Sequence, residues 1–218
     1  MIEPTKLIFL PGAGGSPHFW QPVANLLVHP APRVFLGWPG FGSVPINPKV
    51  QGIQDLVALV VDESDQPTAL IAQSMGGVIA IQAALKRPDL VTHLVLTVTS
   101  GGVNMSDLQA EDWRPAFIKA NPMFPRWFAE YKDDISSAAG SVLAPALLLW
   151  GDADPISPVA VGLRLKGLLP ASSMHVFPGG EHDLANKLAL SVAPLIDAHL
   201  KMRSNLTVRR DGREAARP

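Results

Sequence analysis

Ser74 is the residue of this sequence best placed to act as a nucleophile. It lies in Ala72-Gln73-Ser74-Met75-Gly76-Gly77, between an apolar run that predicts a strand and a longer pattern that predicts a helix. A small-x-Ser-x-Gly turn at such a junction holds the serine in strained backbone angles and exposes its hydroxyl above the carboxyl end of the strand. The alternative use of a serine here is an ordinary helix N-cap.

A serine hydroxyl needs a base, and His182 is the candidate. It follows the last predicted strand in a glycine-rich loop, at the edge where open α/β sheets bind ligands. A carboxylate must orient that base. Asp154 lies several residues past another strand, with room to turn inwards, and Asp152 is its rival. Either aspartate could instead be a turn residue or a helix cap.

The glycine-rich segment Leu10–Ser16, directly after the first predicted strand, is the fourth element of a possible site. Its glycines let the backbone bend so that an N–H group faces a developing oxyanion, and Ala13 is the candidate donor. The N–H of Met75, at the start of a helix, is the second. Phosphate binding is the competing use of such a loop, but no Gly-Lys-Ser/Thr follows and Pro17 replaces the third glycine of a dinucleotide-binding fingerprint.

Composition removes several classes of protein. The 218 residues are 47% hydrophobic and 17% charged, which excludes disorder for the bulk of the chain. The net charge of −1 provides no global field for nucleic acid or an anionic membrane. The absence of cysteine removes disulfides, thiolate metal sites and cysteine nucleophiles. No acids and histidines fall at metal-ligand spacings, and we expect neither a metal nor a cofactor.

Apolar runs and helical patterns alternate along the chain, which predicts a doubly wound α/β fold. The near-continuous apolar runs indicate strands buried on both faces of a largely parallel, six-stranded sheet. The predicted strands are Lys6–Leu10, Arg33–Leu36, Thr68–Ala72, His93–Thr99, Ala146–Trp150 and Met174–Phe177. The predicted helices are Pro17–Val28, Val50–Asp62, Met75–Lys86, Pro158–Leu168 and Asp183–Met202.

One interval, Ser100–Pro145, is much longer than a crossover needs. We expect a helical cap insertion at about 101–144 that covers the site, and the alternative is a longer ordinary crossover. It holds six aromatic residues, Tyr131 among them, and five of these are candidates for contacts to an apolar substrate: Trp113, Phe117, Phe124, Trp127 and Phe128.

The motifs together resemble the α/β-hydrolase family over about residues 6–201. Gln73–Gly77 is similar to its nucleophile elbow, Gly180–His182 to its histidine loop, and Trp38–Ser43 to its Pro-Gly-x-Gly-x-Ser loop. Trp150-Gly151-x-x-Asp154-x-x-x-Pro158 is similar to its acid loop, which favours Asp154 over Asp152. Phe19 and Trp20 resemble the aromatic residues after its oxyanion loop, so Trp20 joins the candidate substrate contacts.

The sequence also departs from the family pattern at several positions. Pro11 stands where the family usually has histidine, and Gln73 where histidine is frequent. We expect a sheet without the first two strands of the family, because Lys6 already enters the strand before the oxyanion loop.

The resemblance implies a serine hydrolase with Ser74, Asp154 and His182 as triad and Ala13 and Met75 as oxyanion donors. Its substrate would be a small ester or thioester with an apolar acyl part. A carbon–carbon bond hydrolase or lyase with the same triad, or a ligand-binding member without catalysis, are the alternatives.

The charged residues and the lengths of the apolar runs bear on partners and location. The inserted segment carries Arg114, Lys119, Arg126 and Lys132, which either meet a substrate carboxylate or an acyl-carrier protein or form a solvated face. We expect one hydrolase domain over 1–202 and a disordered basic tail over 203–218 with five arginines. No run reaches the length of a membrane span, and we expect a cytoplasmic protein without a nucleic-acid partner.

Overall fold

The computed structural model describes residues 2–132 and 134–202, and at its centre lies a six-stranded sheet in which every neighbouring pair is parallel. The strand order β2-β1-β3-β4-β5-β6 confirms the predicted largely parallel, six-stranded sheet. The strands are β1 Lys6–Leu10, β2 Arg33–Phe35, β3 Thr68–Gln73, β4 Val91–Thr97, β5 Ala146–Gly151 and β6 Ser172–Phe177.

Helices cover both faces of this sheet. Those that connect β2 to β3, β3 to β4 and β5 to β6 share one face, because right-handed crossovers in one direction use the same side. The crossover from β1 to β2 runs the other way, and its helix packs against the final helices on the opposite face. The helices are α1 Gln21–Ala24, α2 Ile53–Glu63, α3 Met75–Lys86, α4 Arg114–Ala120, α5 Arg126–Glu130, α6 Ser136–Ala139, α7 Val159–Leu168, α8 Leu184–Lys187 and α9 Ala189–Leu200.

Burial on both faces holds for the central strands and fails at the two edges. Every residue of β1, β3, β4 and β5 is buried, as the continuous apolar runs predicted. β2 and β6 are largely exposed or half-buried, because an edge strand has a neighbour on one side alone.

Two predicted helices are shorter or divided in the structure. The predicted helix Pro17–Val28 shrinks to α1, because the N–H groups of Val28 and His29 donate to the Asp197 carboxylate at 3.0–3.2 Å instead of extending the helix. The predicted helix Asp183–Met202 divides at Leu188, whose backbone (φ −107°, ψ 32°) leaves the helical region between α8 and α9.

The segment between β4 and β5 forms three short helices, α4 to α6, above the carboxyl ends of the strands. No residue of α4 is buried, and such a short helix has little intrinsic stability. It is supported by ring contacts that lead to Phe41: Phe117 packs against Phe124, and Phe124 lies 4.7 Å from Phe41 between ring centroids. The predicted tail 203–218 lies outside the described residues. Over the part of the chain described, none of the helices has the length and apolar character needed to cross a bilayer.

Helix α7 contains two glycines in opposite surroundings. A Cβ at Gly162 would lie 2.5 Å from Met174 Cε and 2.7 Å from the Trp150 ring, whereas a Cβ at Gly167 would meet nothing within 4 Å. We expect Gly167→Ala to raise the free energy of unfolding by about 0.5–1 kcal/mol, because alanine loses less backbone entropy in a helix. Gly162→Ala should lower it by about 1–3 kcal/mol through overpacking against the indole. Urea unfolding of the matched pair measures both, and equal effects would contradict this packing.

The ring of His199, near the end of α9, is buried. The residue is 4% exposed, and neither ring nitrogen has a partner at hydrogen-bond geometry among the described residues. Its ring packs edge-on against His93 at 5.3 Å between centroids. Burial, together with the nearby His93, lowers the pKa of His199 from 6.5 to about 4, since the charged form would have no solvation there.

This burial predicts acid sensitivity. His199 takes up a proton below pH 6.5 in the unfolded chain but not until about pH 4 in the folded chain. Its contribution to the free energy of unfolding is therefore fully present above pH 6.5. That contribution is lost as the pH falls to 4, by up to about 3 kcal/mol. His199→Leu should flatten the dependence of the urea midpoint on pH between 4 and 6.5, with His175→Leu on exposed β6 as the control. An unchanged slope in His199→Leu would show that another group causes the acid sensitivity.

Candidate active site

Ser74 occupies the sharp turn between β3 and α3. Its backbone has φ 52° and ψ −119°, and a positive φ of this kind is rarely adopted by residues other than glycine. Two hydrogen bonds from the end of β4 hold the turn: Ser74 N donates to Thr97 O at 3.0 Å, and Thr99 Oγ1 donates to Ser74 O at 2.5 Å. The serine is therefore a strained turn residue, and its side chain does not cap α3.

Two glycines at the start of α3 allow this turn to pack closely against the end of β1 and against Thr99. A Cβ at Gly76 would lie 2.6 Å from Pro11 O and 2.7 Å from Leu10 O. A Cβ at Gly77 would lie 2.5 Å from Thr99 Oγ1. Backbone carbonyls at a strand end cannot move aside, and the elbow therefore requires glycine at position 76 for a steric reason.

The structure brings the side chains of Ser74, His182 and Asp154 together from three separate loops. His182 Nε2 lies 3.0 Å from Ser74 Oγ, and His182 Nδ1 lies 2.7 Å from Asp154 Oδ2. The other carboxylate oxygen accepts the N–H groups of Ile156 at 2.9 Å and Ser157 at 3.2 Å. Because a carboxylate can only accept, Nδ1 carries the proton and Nε2 is left to accept the serine hydroxyl.

The structure separates the two rival aspartates. Asp152 Oδ1 accepts the N–H of Gly179 at 2.6 Å, which ties the loop after β5 to the loop that carries the histidine. The Asp154 side chain is fully buried and directed at His182. Trp150 supports it from β5, because its indole N–H donates to Ser157 O at 2.9 Å and fixes the turn around Asp154.

Two further buried tryptophans fix the start of the glycine-rich loop. The indole N–H of Trp20 donates to Leu10 O at 3.0 Å, and that of Trp38 donates to Pro11 O at 2.9 Å. Both side chains are buried in the core. Trp20, a predicted substrate contact, therefore anchors the loop from behind and does not line the cavity described below.

The loop passes directly over Ser74. A Cβ at Gly12 would lie 3.0 Å from Ser74 Cβ, and the next residue, Ala13, lines the same cavity as Ser74. Within the described ranges, the N–H groups of Ala13 and Met75 donate to no protein acceptor. Met75 also begins the 12-residue helix α3, whose aligned peptide dipoles favour negative charge at this end. Both predicted donors thus flank the serine.

A cavity of about 950 Å³ opens above Ser74 and His182 and is roofed by the segment between β4 and β5. Three of the predicted aromatic contacts line it: Trp113, Phe117 and Phe128. Phe124 and Trp127 do not line it, and their rings pack against Phe41. Those two aromatics hold the roof in place rather than face a ligand.

Arg114 is the cavity-lining arginine, and its charge is already engaged. Its guanidinium donates to Ala129 O at 3.1 Å and to Asp112 Oδ1 at 3.3 Å, and it stacks on Trp113 at 5.1 Å from the ring centroid. Lys132 also lines the cavity, but Lys119 and Arg126 do not. Glu111, Asp112 and Asp134 line the same space, so the basic residues do not create a cationic pocket.

Several cavity residues escaped the sequence analysis. They are apolar side chains whose local sequence pattern does not distinguish them from core residues: Ile53, Val78, Val98, Val103, Met105 and Ile156. Val98 stands out only in the structure, where this β-branched residue has a φ of 41° immediately beyond β4.

Known hydrolases match this chain in sequence and in fold. The sequence model of the "Alpha/beta hydrolase family" matches residues 7–141. A Variovorax paradoxus protein named "Putative carbamate hydrolase RutD" is 25% identical over 218 residues, covering 78% of this chain and 82% of its own length. The fold is similar to that of a thermophilic esterase from Thermogutta terrifontis, with a TM-score of 0.72, 19% identity and coverage of 90% of this chain and 89% of that one.

Two other relatives match over shorter stretches. The pimeloyl-[acyl-carrier protein] methyl ester esterase of Pseudoalteromonas atlantica is 32% identical over 96 residues, 44% of this chain and 37% of the relative. The 2-hydroxy-6-oxononadienedioate/2-hydroxy-6-oxononatrienedioate hydrolase of Cupriavidus pinatubonensis is 36% identical over 70 residues, 32% of this chain and 23% of the relative. The named activities include ester and other hydrolyses.

The different partners of the two aspartates generate a test. Asp154→Asn should slow the labelling of Ser74 by a fluorophosphonate by about 10⁴-fold, because an amide at this position favours the wrong histidine tautomer. Asp152→Asn should label at close to the wild-type rate, since its amide oxygen still accepts the Gly179 N–H. The measurement is the second-order labelling rate constant of each folded variant. Equal slowing in both would refute the assignment of Asp154 as the orienting acid.

Proposed function

Because this chain belongs to the alpha/beta hydrolase family, we propose that it is a serine hydrolase that cleaves a carboxylic ester or thioester through an acyl-enzyme on Ser74. The observation that carries the proposal is the continuous path of hydrogen bonds from Asp154 through His182 to the Ser74 hydroxyl, at 2.7 and 3.0 Å. It lies at the floor of a cavity lined mainly by apolar residues, where an acyl chain fits.

In the proposed reaction, His182 Nε2 removes the hydroxyl proton as Ser74 Oγ attacks the carbonyl carbon. The buried Asp154 carboxylate stabilises the imidazolium that forms and holds the ring in position. The imidazolium then protonates the leaving alcohol or thiol, and an acyl-serine remains. Water, activated by the same nitrogen, attacks the acyl-serine and releases the acid.

The negative charge of the tetrahedral intermediate falls on the former carbonyl oxygen. We assign its stabilisation to the N–H groups of Ala13 and Met75, which flank Ser74 without protein acceptors among the described residues. Each such donor contributes about 10²–10³ in rate in comparable sites. Their fixed positions mean that little reorganisation accompanies the development of charge.

The lining of the cavity favours an apolar acyl part. Trp113, Phe117 and Phe128 face it together with aliphatic residues, and its arginine is already paired with Asp112. The relatives named as pimeloyl-[acyl-carrier protein] methyl ester esterases support an acyl ester and make a carrier-bound substrate worth testing. Free and carrier-bound methyl esters of the same acid would separate the two forms.

Carbon–carbon bond hydrolysis is the second candidate, because a relative named for the hydrolysis of 2-hydroxy-6-oxo dienedioates is 36% identical over 70 residues. The same serine–histidine pair would serve it. A ligand-binding protein without catalysis is the remaining alternative, and an active Ser74 would exclude it.

We expect the wild-type chain to hydrolyse p-nitrophenyl esters in a series from acetate to laurate, with an optimum at an intermediate or long acyl chain. Ser74→Ala should lower kcat by about 10⁶-fold while the circular dichroism spectrum stays unchanged. Ser173→Ala, on the exposed edge strand β6, is the matched control and should retain the wild-type rate.

The outcomes separate the candidates. Full activity in Ser74→Ala would show that another group is the nucleophile. A wild-type chain that labels with fluorophosphonate but cleaves a 2-hydroxy-6-oxo dienoate and no ester is a carbon–carbon hydrolase. A folded wild-type chain that does not label at all supports the binding-only alternative.

A further inference from the structure

Gln73, the last residue of β3, connects the serine turn to the histidine loop. Its side chain is buried, and Nε2 donates to the main-chain carbonyl of His182 at 3.1 Å. The orientation of the amide follows from this contact, because a carbonyl oxygen accepts only from the NH₂ end. Gln73 therefore makes a directed bond to the backbone that carries the proposed base.

The remaining main-chain anchors of the histidine loop lead elsewhere. Gly179 N donates to Asp152, and Ala153 N donates to Gly180 O at 3.0 Å, so both bind the loop to the segment after β5. Over residues 2–132 and 134–202, the Gln73 bond is the one hydrogen bond that ties the main chain of this loop to β3.

Gly12 leaves the space that the Gln73 amide occupies. A Cβ at Gly12 would lie 2.2 Å from Gln73 Oε1 and 3.1 Å from Cδ. The side chain thus fills the gap between the glycine-rich loop, the serine turn and the histidine loop. It is in contact with all three parts of the site that the proposed chemistry needs in register.

We propose that Gln73 is a positioning residue that fixes the backbone of His182, so that Nε2 remains at hydrogen-bond distance from Ser74 Oγ. The inference rests on the proposed function only in taking the Ser74–His182 pair as reactive. The His182 side chain is 25% exposed, and contacts to Ser74 and Asp154 alone would let it move with its loop. Displacements of about 1 Å in such a pair cost about 10²-fold in rate.

The test compares variants that differ in one donor. Gln73→Met keeps the length of the side chain without an N–H group. Gln73→His restores an N–H three bonds from Cβ, the same number as in glutamine. Gln73→Glu places a carboxylate against the His182 carbonyl. Gln66→Met, in the turn before the amino end of β3 and therefore at the opposite end of the strand from Gln73, controls for the substitution itself.

We measure the second-order rate constant of fluorophosphonate labelling from pH 5 to 9, with thermal melts of each variant. Gln73→Met should label about 10–100-fold more slowly than wild type, and Gln73→His should recover at least about tenfold of that loss. Gln73→Glu should move the acid limb of the profile to higher pH, because its charge favours the imidazolium. With p-nitrophenyl esters, the loss in Gln73→Met should fall on kcat, with KM within about twofold.

Wild-type labelling by Gln73→Met would overturn the proposal. So would equal slowing in Gln73→Met and Gln73→His with an unshifted profile in Gln73→Glu, since that pattern means that glutamine only fills space. Failure of the proposed function is distinguishable from either result. A wild-type chain that labels but hydrolyses no ester contradicts the ester substrate, and the ratio of labelling rates still decides the role of Gln73.

Discussion

The site depends on one close approach, that of the first turn of α3 to the main chain at the end of β1. Gly76 meets the carbonyls of Leu10 and Pro11 at distances that no side chain would tolerate. Because the helix begins there, the preceding residue has to turn within one position, and Ser74 takes a positive φ. The same geometry puts the Met75 N–H at the amino end of a helix beside the serine oxygen. The proposed nucleophile, the proposed oxyanion donor at Met75 and the backbone strain at Ser74 thus arise from a single packing constraint.

Buried hydrogen bonds then fix the other loops relative to this turn. Trp20 and Trp38 hold two successive carbonyls of the glycine-rich segment, and Trp150 holds the turn that carries Asp154. An indole brings a large apolar surface into the core and still offers one N–H to a loop. Three tryptophans therefore serve the core and the site at once. Protein hydrogen bonds alone fix these loops, and donors held in place in this way can stabilise a developing charge with little reorganisation.

The sequence was most informative where one physical cause dominates. Continuous apolar runs located β1, β3, β4 and β5, because both faces of those strands are buried, and each candidate group followed a strand. Periodicity missed the end of α1, since its cause is a carboxylate 169 residues away in α9. Trp20 was assigned to substrate for the same reason: its indole binds a carbonyl that only the fold brings near. Local pattern carries no information about such partners.

The roof of the cavity obeys different physics from its floor. The floor is built on strands whose every residue is buried, whereas α4 has no buried residue and depends on aromatic contacts that lead to Phe41. Phe124 and Trp127 provide support, and Trp113 and Phe117 face the cavity, although all four belong to one aromatic-rich stretch. A substitution on the roof can therefore change the shape of the cavity without disturbing Ser74 or His182. In the proposed enzyme, chemistry and selectivity would be separable, because the first depends on contacts at the sheet edge and the second on side chains of weakly buried helices.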